Sequence, residues 1–186
     1  MIKLTPEEIK EHLKSRISAV NRLRNAINDR SDKSDEIENS IYFQYYFCFS
    51  TAIEVTVYNI MLKKYNDEFL KSMLKIESKS LSKYIHLDDA KKLINNFGSD
   101  ITFDEIKKFY SEENIIRDRL YNQQPLSDKL YSKYQFSDLY NRSRDMRNKL
   151  AHGLVLQNVN YDERTLFDFM CSFYILHKYY KFVLNE

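Results

Sequence analysis

The stretch RDMRNKLAHG gathers Arg144, Arg147, Asn148 and His152 in a chain that has four histidines in all. On a helix, Arg144, Asn148 and His152 fall at i, i+4 and i+8 and form one row, with Arg147 one step around from Asn148. Arg147 and His152 are separated by roughly 140° on an ideal helix. They converge if the helix loosens near Ala151 and Gly153, or if a ligand reaches across the helix end. The pairing of residue types suits phosphodiester cleavage in RNA without a metal. A base must take the proton of the 2'-hydroxyl, and a fixed cation must meet the charge developing on the phosphate oxygens. Histidine titrates near neutrality, and the arginine fork binds phosphate bidentately.

In-line attack would leave a 2',3'-cyclic phosphate and a 5'-hydroxyl. One histidine cannot be base and acid in the same step, so a second His152 from a twofold-related chain would complete the site, and a homodimer is the expected form. The plainer account of the same residues is a helix C-terminus, where His and Arg favour the negative end of the dipole and Gly153 supplies the cap.

The elements that must position these residues read as helices. The 186 residues contain only two glycines, Gly98 and Gly153, and two prolines, Pro6 and Pro125, too few for a chain of hairpins, so the expected class is all-α. The length suits one domain over 1–186 with its own core. TPEEIKEHLKSRISAVNRLRNAI opens with Thr5 as N-cap, Pro6 at the first helical position and Glu8 closing a capping box. Ile9, Leu13, Ile17, Val20, Leu23 and Ile27 then make one apolar stripe. The segment from Ile41 to Leu62 is apolar nearly all round, which predicts a central helix wrapped by others or shared with a partner. Its β-branched residues Ile53, Val55, Thr56 and Val57 would also suit a strand, but length and the lack of breakers favour helix. Residues 66–125 are more polar and read as an insertion of short helices, among them TFDEIKKFYSEENIIRDRLY. After a loop around Pro125, FSDLYNRSRDMRNKLAHG predicts a helix ending near Gly153. A last helix carries Leu166, Phe169, Met170, Phe173, Leu176, Tyr180 and Val183 at helical spacing.

RNKLAHG resembles the R-x(4-6)-H signature of the HEPN superfamily, here with four intervening residues, an Asn directly after the Arg and an Ala-His-Gly ending. The preceding helical pattern and the amphipathic helix that follows are also similar to that family's layout. The resemblance implies an HEPN-like helical bundle, commonly dimeric, and a metal-independent ribonuclease of the kind found in toxin-antitoxin, abortive-infection, CRISPR-linked or RNA-processing systems. Carried over, Arg147 and His152 would be the catalytic pair and Asn148 the residue that helps orient them. One toxin branch has a tyrosine two positions after the histidine, open to modification by a partner nucleotidyltransferase. Leu154 stands there instead, so an antitoxin or regulatory partner of another kind is the expectation. A non-catalytic dimerising scaffold or sensor of the same fold is the alternative.

The remaining polar residues have paired readings. Glu54, inside STAIEVTVYNI, would need a partner if buried and then could orient Arg147 or Arg144, resembling an acidic residue some HEPN proteins keep on an earlier helix; otherwise it is an outward-facing helix-edge glutamate. Asp145 reads either as a residue positioning an arginine or as a solvent-facing one. Lys71, Lys75, Lys79 and Lys83 form a lysine stripe that could track RNA, although Glu68 and Glu77 nearby suit an ordinary solvated face. His12 and His86 read as surface residues, and His177 as structural. The aromatic run IYFQYYFCF reads as core or dimer interface, with interface preferred, rather than as a base-stacking platform. Cys48 and Cys171 match no metal or redox spacing and read as reduced, buried thiols. No HxxxH, HExxH or Cys/His cluster is present, so no metal or cofactor is expected. The net charge of +2 gives no global field for nucleic acid, so any basic site must be local. With no apolar leader and no apolar run of about 18 residues, a cytoplasmic protein without membrane association is expected.

Overall fold

A computed structural model describes residues 3–28, 35–64, 101–112, 145 and 163–185. Their architecture is all-α, with four helices: α1 (Pro6–Asn28), α2 (Asp35–Lys64), α3 (Phe103–Glu112) and α4 (Glu163–Leu184). α2 packs on both α1 and α4, which also meet each other, and α3 packs on α4. None of these helices is long and apolar enough to cross a membrane.

α1 begins with the expected capping box. The Glu8 amide donates to Thr5 Oγ1 (3.2 Å), and the Thr5 amide donates to Glu8 Oε2 (2.7 Å), so two amides at the helix start are satisfied reciprocally. Ile9, Leu13, Ile17 and Val20 are buried. Leu23, expected to continue the stripe, is 49% exposed. At this end Arg24 takes the inward position, its guanidinium 5.8 Å from the centroid of the Tyr42 ring and 3.7 Å from Glu38. The helix repeat places Arg24, four residues after Val20, closer to the seam than Leu23.

α2 is the central helix, and its β-branched residues are accommodated without a strand. Thr56 Oγ1 donates to the Ala52 carbonyl (2.8 Å), which satisfies a buried hydroxyl inside the helix. The aromatic run is core rather than interface over most of its length. Tyr42, Tyr45, Tyr46, Cys48 and Phe49 are buried, and Phe47 alone among its large apolar residues is mostly exposed, at 52%. The packing is specific: Tyr46 stacks on Phe169 at 5.3 Å, and Phe49 meets Phe173 and Tyr110 edge-on. Tyr45 also donates its hydroxyl to Asn21 Oδ1 on α1 (2.6 Å).

α4 is buried all round from Leu166 to His177, wider than the single stripe expected from its spacing. Asp168, Ser172 and His177 are therefore inside as well. Ser172 donates to the Asp168 carbonyl (2.8 Å). The helix ends at Asn185, whose left-handed φ of 63° and amide bond to the Phe182 carbonyl (3.1 Å) close the last turn.

α3, the described part of the polar 66–125 region, joins the same core through Ile101, Ile106 and Tyr110. It has its own capping box, Thr102 with Glu105: amide to carboxylate at 3.0 Å and amide to hydroxyl at 3.3 Å. Tyr110 donates its buried hydroxyl to the Met170 carbonyl of α4 (2.8 Å).

Two substitutions separate ring packing from this hydrogen bond. Phe49→Ala is expected to cost about 3–5 kcal/mol, because it opens a cavity where α2, α3 and α4 meet. Tyr110→Phe, which keeps the ring, should cost about 1 kcal/mol. Urea unfolding of the two variants checks this order, and equal losses would contradict it.

Candidate functional site

Arg144, Arg147, Asn148 and His152 lie outside the described residues, as do His86, Leu154 and the lysine stripe from Lys71 to Lys83. Of the stretch that carries the motif, Asp145 is described: it is helical and exposed. Glu54, the remaining site candidate, is on α2 and half-buried. It shares a helix row with Phe47 and Thr51, at i+7 and i+3, on an edge of α2 that carries the exposed Phe47. The apolar neighbours in sequence, Ile53 and Val57, turn into the core, while Glu54 sits at its margin.

Among the described residues, polar side chains gather where the C-terminal half of α4 meets the start of α1 on one side and the start of α3 on another. Glu7 Oε1 accepts from Lys181 Nζ at 2.9 Å, and its Oε2 pairs with Lys10. His177 Nε2 stands 3.6 Å from the same Oε1. A second carboxylate, Glu105, accepts from Lys178 Nζ at 3.0 Å while its other oxygen caps α3. The backbone ahead of α1 is held from two sides. The Leu4 amide donates to Asn59 Oδ1 of α2, and the Leu4 carbonyl accepts from the Tyr180 hydroxyl of α4, both at 2.9 Å.

The electrostatics of this cluster are structural. Burial is the largest influence on His177 and opposes its protonation. Lys181 and Lys10 add to that, and the pull of Glu7 and a hydrogen bond to the Pro6 backbone do not offset them, so its pKa falls to about 4. The imidazole is 4% exposed and packs against the Phe109 and Phe173 rings, at 5.3 and 5.9 Å. It is neutral at pH 7 and closed to a substrate, as expected of a structural histidine. Burial also pushes Glu7 upward, but hydrogen bonds from Lys10 and Lys181 and their charges hold it down at about 2. Burial raises the Cys48 thiol, with Arg16 opposing; Cys48 and Cys171 are both free and buried. His12 is exposed, as expected.

The sequence signals for this cluster were partly available. T-x-x-E at Thr102–Glu105 is a capping-box pattern like the one at Thr5, and it marks the start of α3. The Glu7 and Lys181 pairing, across 174 positions, has no local signal.

No family model, no curated protein and no solved structure matches this chain.

The cluster makes stability depend on pH. His177 has a lowered folded-state pKa, so between about 6.5 and 4 the unfolded chain binds more protons and stability falls as pH falls through that window. The effect of this one group is on the order of 3 kcal/mol. Glu7 adds a second loss below its ordinary carboxylate range, toward about 2. Urea unfolding at pH 7 and pH 4.5 checks the sign. His177→Leu should flatten the dependence over that interval, and an unchanged slope would remove His177 as its source.

Proposed function

We propose that this protein is a metal-independent endoribonuclease of the HEPN type, acting as a homodimer on RNA, with Arg147 and His152 as the catalytic pair. The observation that carries the reading is the motif RNKLAHG, which lies just ahead of the final helix in an all-α chain. Arg147 meets the non-bridging phosphate oxygens and the charge that builds there. His152 takes or delivers the proton at the 2'-hydroxyl or the leaving 5'-oxygen. Asn148 and Arg144, one row on the same predicted helix, position the pair, and Glu54 stands as a candidate to orient an arginine.

The second histidine of an acid–base pair has few sources in the chain. His177 is enclosed by Phe109, Phe173 and Glu7 and does not hold a proton at neutral pH. That removes one source within the chain, and the composite site, in which His152 of a second protomer supplies the other function, rests on the motif and on the need for a second proton carrier. A restraint on activity, such as an antitoxin or regulatory protein in a defence or toxin-antitoxin setting, follows from the same reading, because an unrestrained ribonuclease harms its own cell. The exposed Phe47 on the outer edge of α2 favours a second reading, a non-catalytic dimerising module that buries this edge.

Purified wild type, Arg147→Ala and His152→Ala incubated with cellular RNA in excess chelator separate these readings. Wild type alone should cut, leaving 2',3'-cyclic phosphate and 5'-hydroxyl ends, with each variant slower by about 10²-fold or more. Circular dichroism should show all three equally helical. Cutting at the wild-type rate by either variant would remove that residue from the mechanism. A folded dimer that cuts no RNA would favour the scaffold.

A further inference from the structure

The charge of the protein is nearly balanced overall but is sorted along α1. Glu7, Glu8 and Glu11 stand in its first turns, and no acidic residue follows until Asp29, beyond the helix end. Between them lie His12, Lys14, Arg16, Arg22 and Arg24. The inward side of this segment is apolar and buried through Leu13, Ile17 and Val20. The outward side is His12, Ser15, Arg16, Ala19, Arg22, Leu23 and Ala26, all exposed. Arg24 is excluded from it, because it is half-buried over Tyr42 and near Glu38. Arg16 and Arg22 enter no ion pair among the described residues.

The two exposed arginines are arranged as a pair. Two helix rows cross at Ala19, one running His12, Arg16, Ala19, Leu23 and the other Ser15, Ala19, Arg22, Ala26. Arg16 and Arg22 therefore flank a floor of small side chains, Ser15 and Ala19, and stand about 9 Å apart along the helix axis. The small floor lets a backbone approach the helix, and the two forks present planar donors to phosphate oxygens. The helix dipole does not account for this placement, since its influence falls off within the terminal turn and Arg16 lies in mid-helix.

We propose that this outward face of α1 binds the phosphodiester backbone of single-stranded RNA and so holds the substrate of the ribonuclease proposed above, a reading on which the choice of RNA rests. An anionic membrane is the less suited occupant. A helix lying in a lipid surface needs an apolar side to insert, and the apolar side of α1 is committed to the core, leaving Leu23 as its sole exposed large apolar residue. The arginines act by binding and positioning; they are not placed among the reacting groups.

The test is titration of a fluorescent oligouridylate with wild type, the double variant Arg16→Glu with Arg22→Glu, and Arg16→Lys with Arg22→Lys, across a salt series. Cleavage of cellular RNA and binding to vesicles of phosphatidylserine and phosphatidylcholine are measured in parallel. Charge reversal should weaken RNA binding by about tenfold or more, and the slope of log affinity against log salt should lose about 1.4, for two phosphate contacts on a single strand. The lysine variant should keep most of the slope. Both variants should unfold at the wild-type temperature, because the two side chains are exposed. Equal affinity and slope in wild type and the reversed variant would overturn the proposal, as would no binding by wild type. So would a variant that loses vesicle binding while keeping RNA binding. RNA binding that depends on Arg16 and Arg22 in a protein that cuts no RNA would leave this surface standing and remove the catalytic reading. Cleavage with no dependence on the two arginines would do the reverse.

Discussion

The described structure depends on the aromatic seam between α2 and α4. Tyr46 on Phe169 and Phe49 against Phe173 join two helices that are each too apolar to face water along most of their length. A helix buried on one stripe can be satisfied by one neighbour, whereas these two require cover on several sides. α1 covers α2, and α3 covers α4. The short α3 gains its place from this need: Ile106 and Tyr110 seal the junction where Phe49 and Phe173 meet. The rings supply area and shape, and the tyrosine hydroxyls then reach polar partners at the margin, as Tyr45 does to Asn21 and Tyr110 to the Met170 carbonyl.

A seam of rings is strong but weakly directional, so the relative placement of the helices needs another source of definition. Polar contacts at one end of the bundle provide it. Asn59 and Tyr180 hold the two backbone groups of Leu4, and Glu7 ties the first turn of α1 to Lys181 on α4. Glu105 caps α3 with one oxygen and reaches Lys178 with the other, so the start of α3 and its contact to α4 are set by one side chain. Most of these groups are partly exposed, which keeps each pair modest in energy. Their value lies in geometry, since each holds an end that apolar packing alone leaves free to slide. His177 belongs to this end because its ring packs with Phe109 and Phe173 while its nitrogens meet Glu7 and the Pro6 backbone.

Local patterns in the sequence made much of this legible. The cap at Thr5, the stripe from Ile9 to Val20 and the apolar character of 41–62 each follow from spacing a few residues long, and each matches the structure. What escaped depends on neighbours distant in sequence. Leu23 and Arg24 are adjacent; the helix repeat turns Arg24 toward the seam, and Tyr42 and Glu38 on another helix are what make a cation acceptable there. Glu54 has apolar neighbours in sequence, yet a one-residue step on a helix changes face and leaves it at the margin of the core. The aromatic run looked like an interface because its density exceeds what one stripe can use, and α4 and α3 absorb the excess within the chain. The candidate catalytic residues were legible only as a motif, because chemistry asks for a few residue types at a short spacing and leaves little trace in hydrophobic periodicity.

The described ionisable groups also bear on how binding and chemistry can be divided over one chain. Catalysis by histidine needs a side chain that exchanges protons near neutral pH and can be reached by substrate. Burial removes both properties from His177 and moves the Cys48 thiol away from reactivity. The core thus holds its titratable groups in fixed states, and its contribution to function is to place surfaces. α1 illustrates the consequence. Its inner side must be apolar to cover α2, which leaves the outer side free to carry charge without cost to the core. A protein of nearly zero net charge can then concentrate cations on that side and place its acids in helix caps and interhelical ties, as Glu8, Glu7 and Glu105 do here. Local charge, rather than net charge, is the property that sets affinity for a polyanion held at one surface.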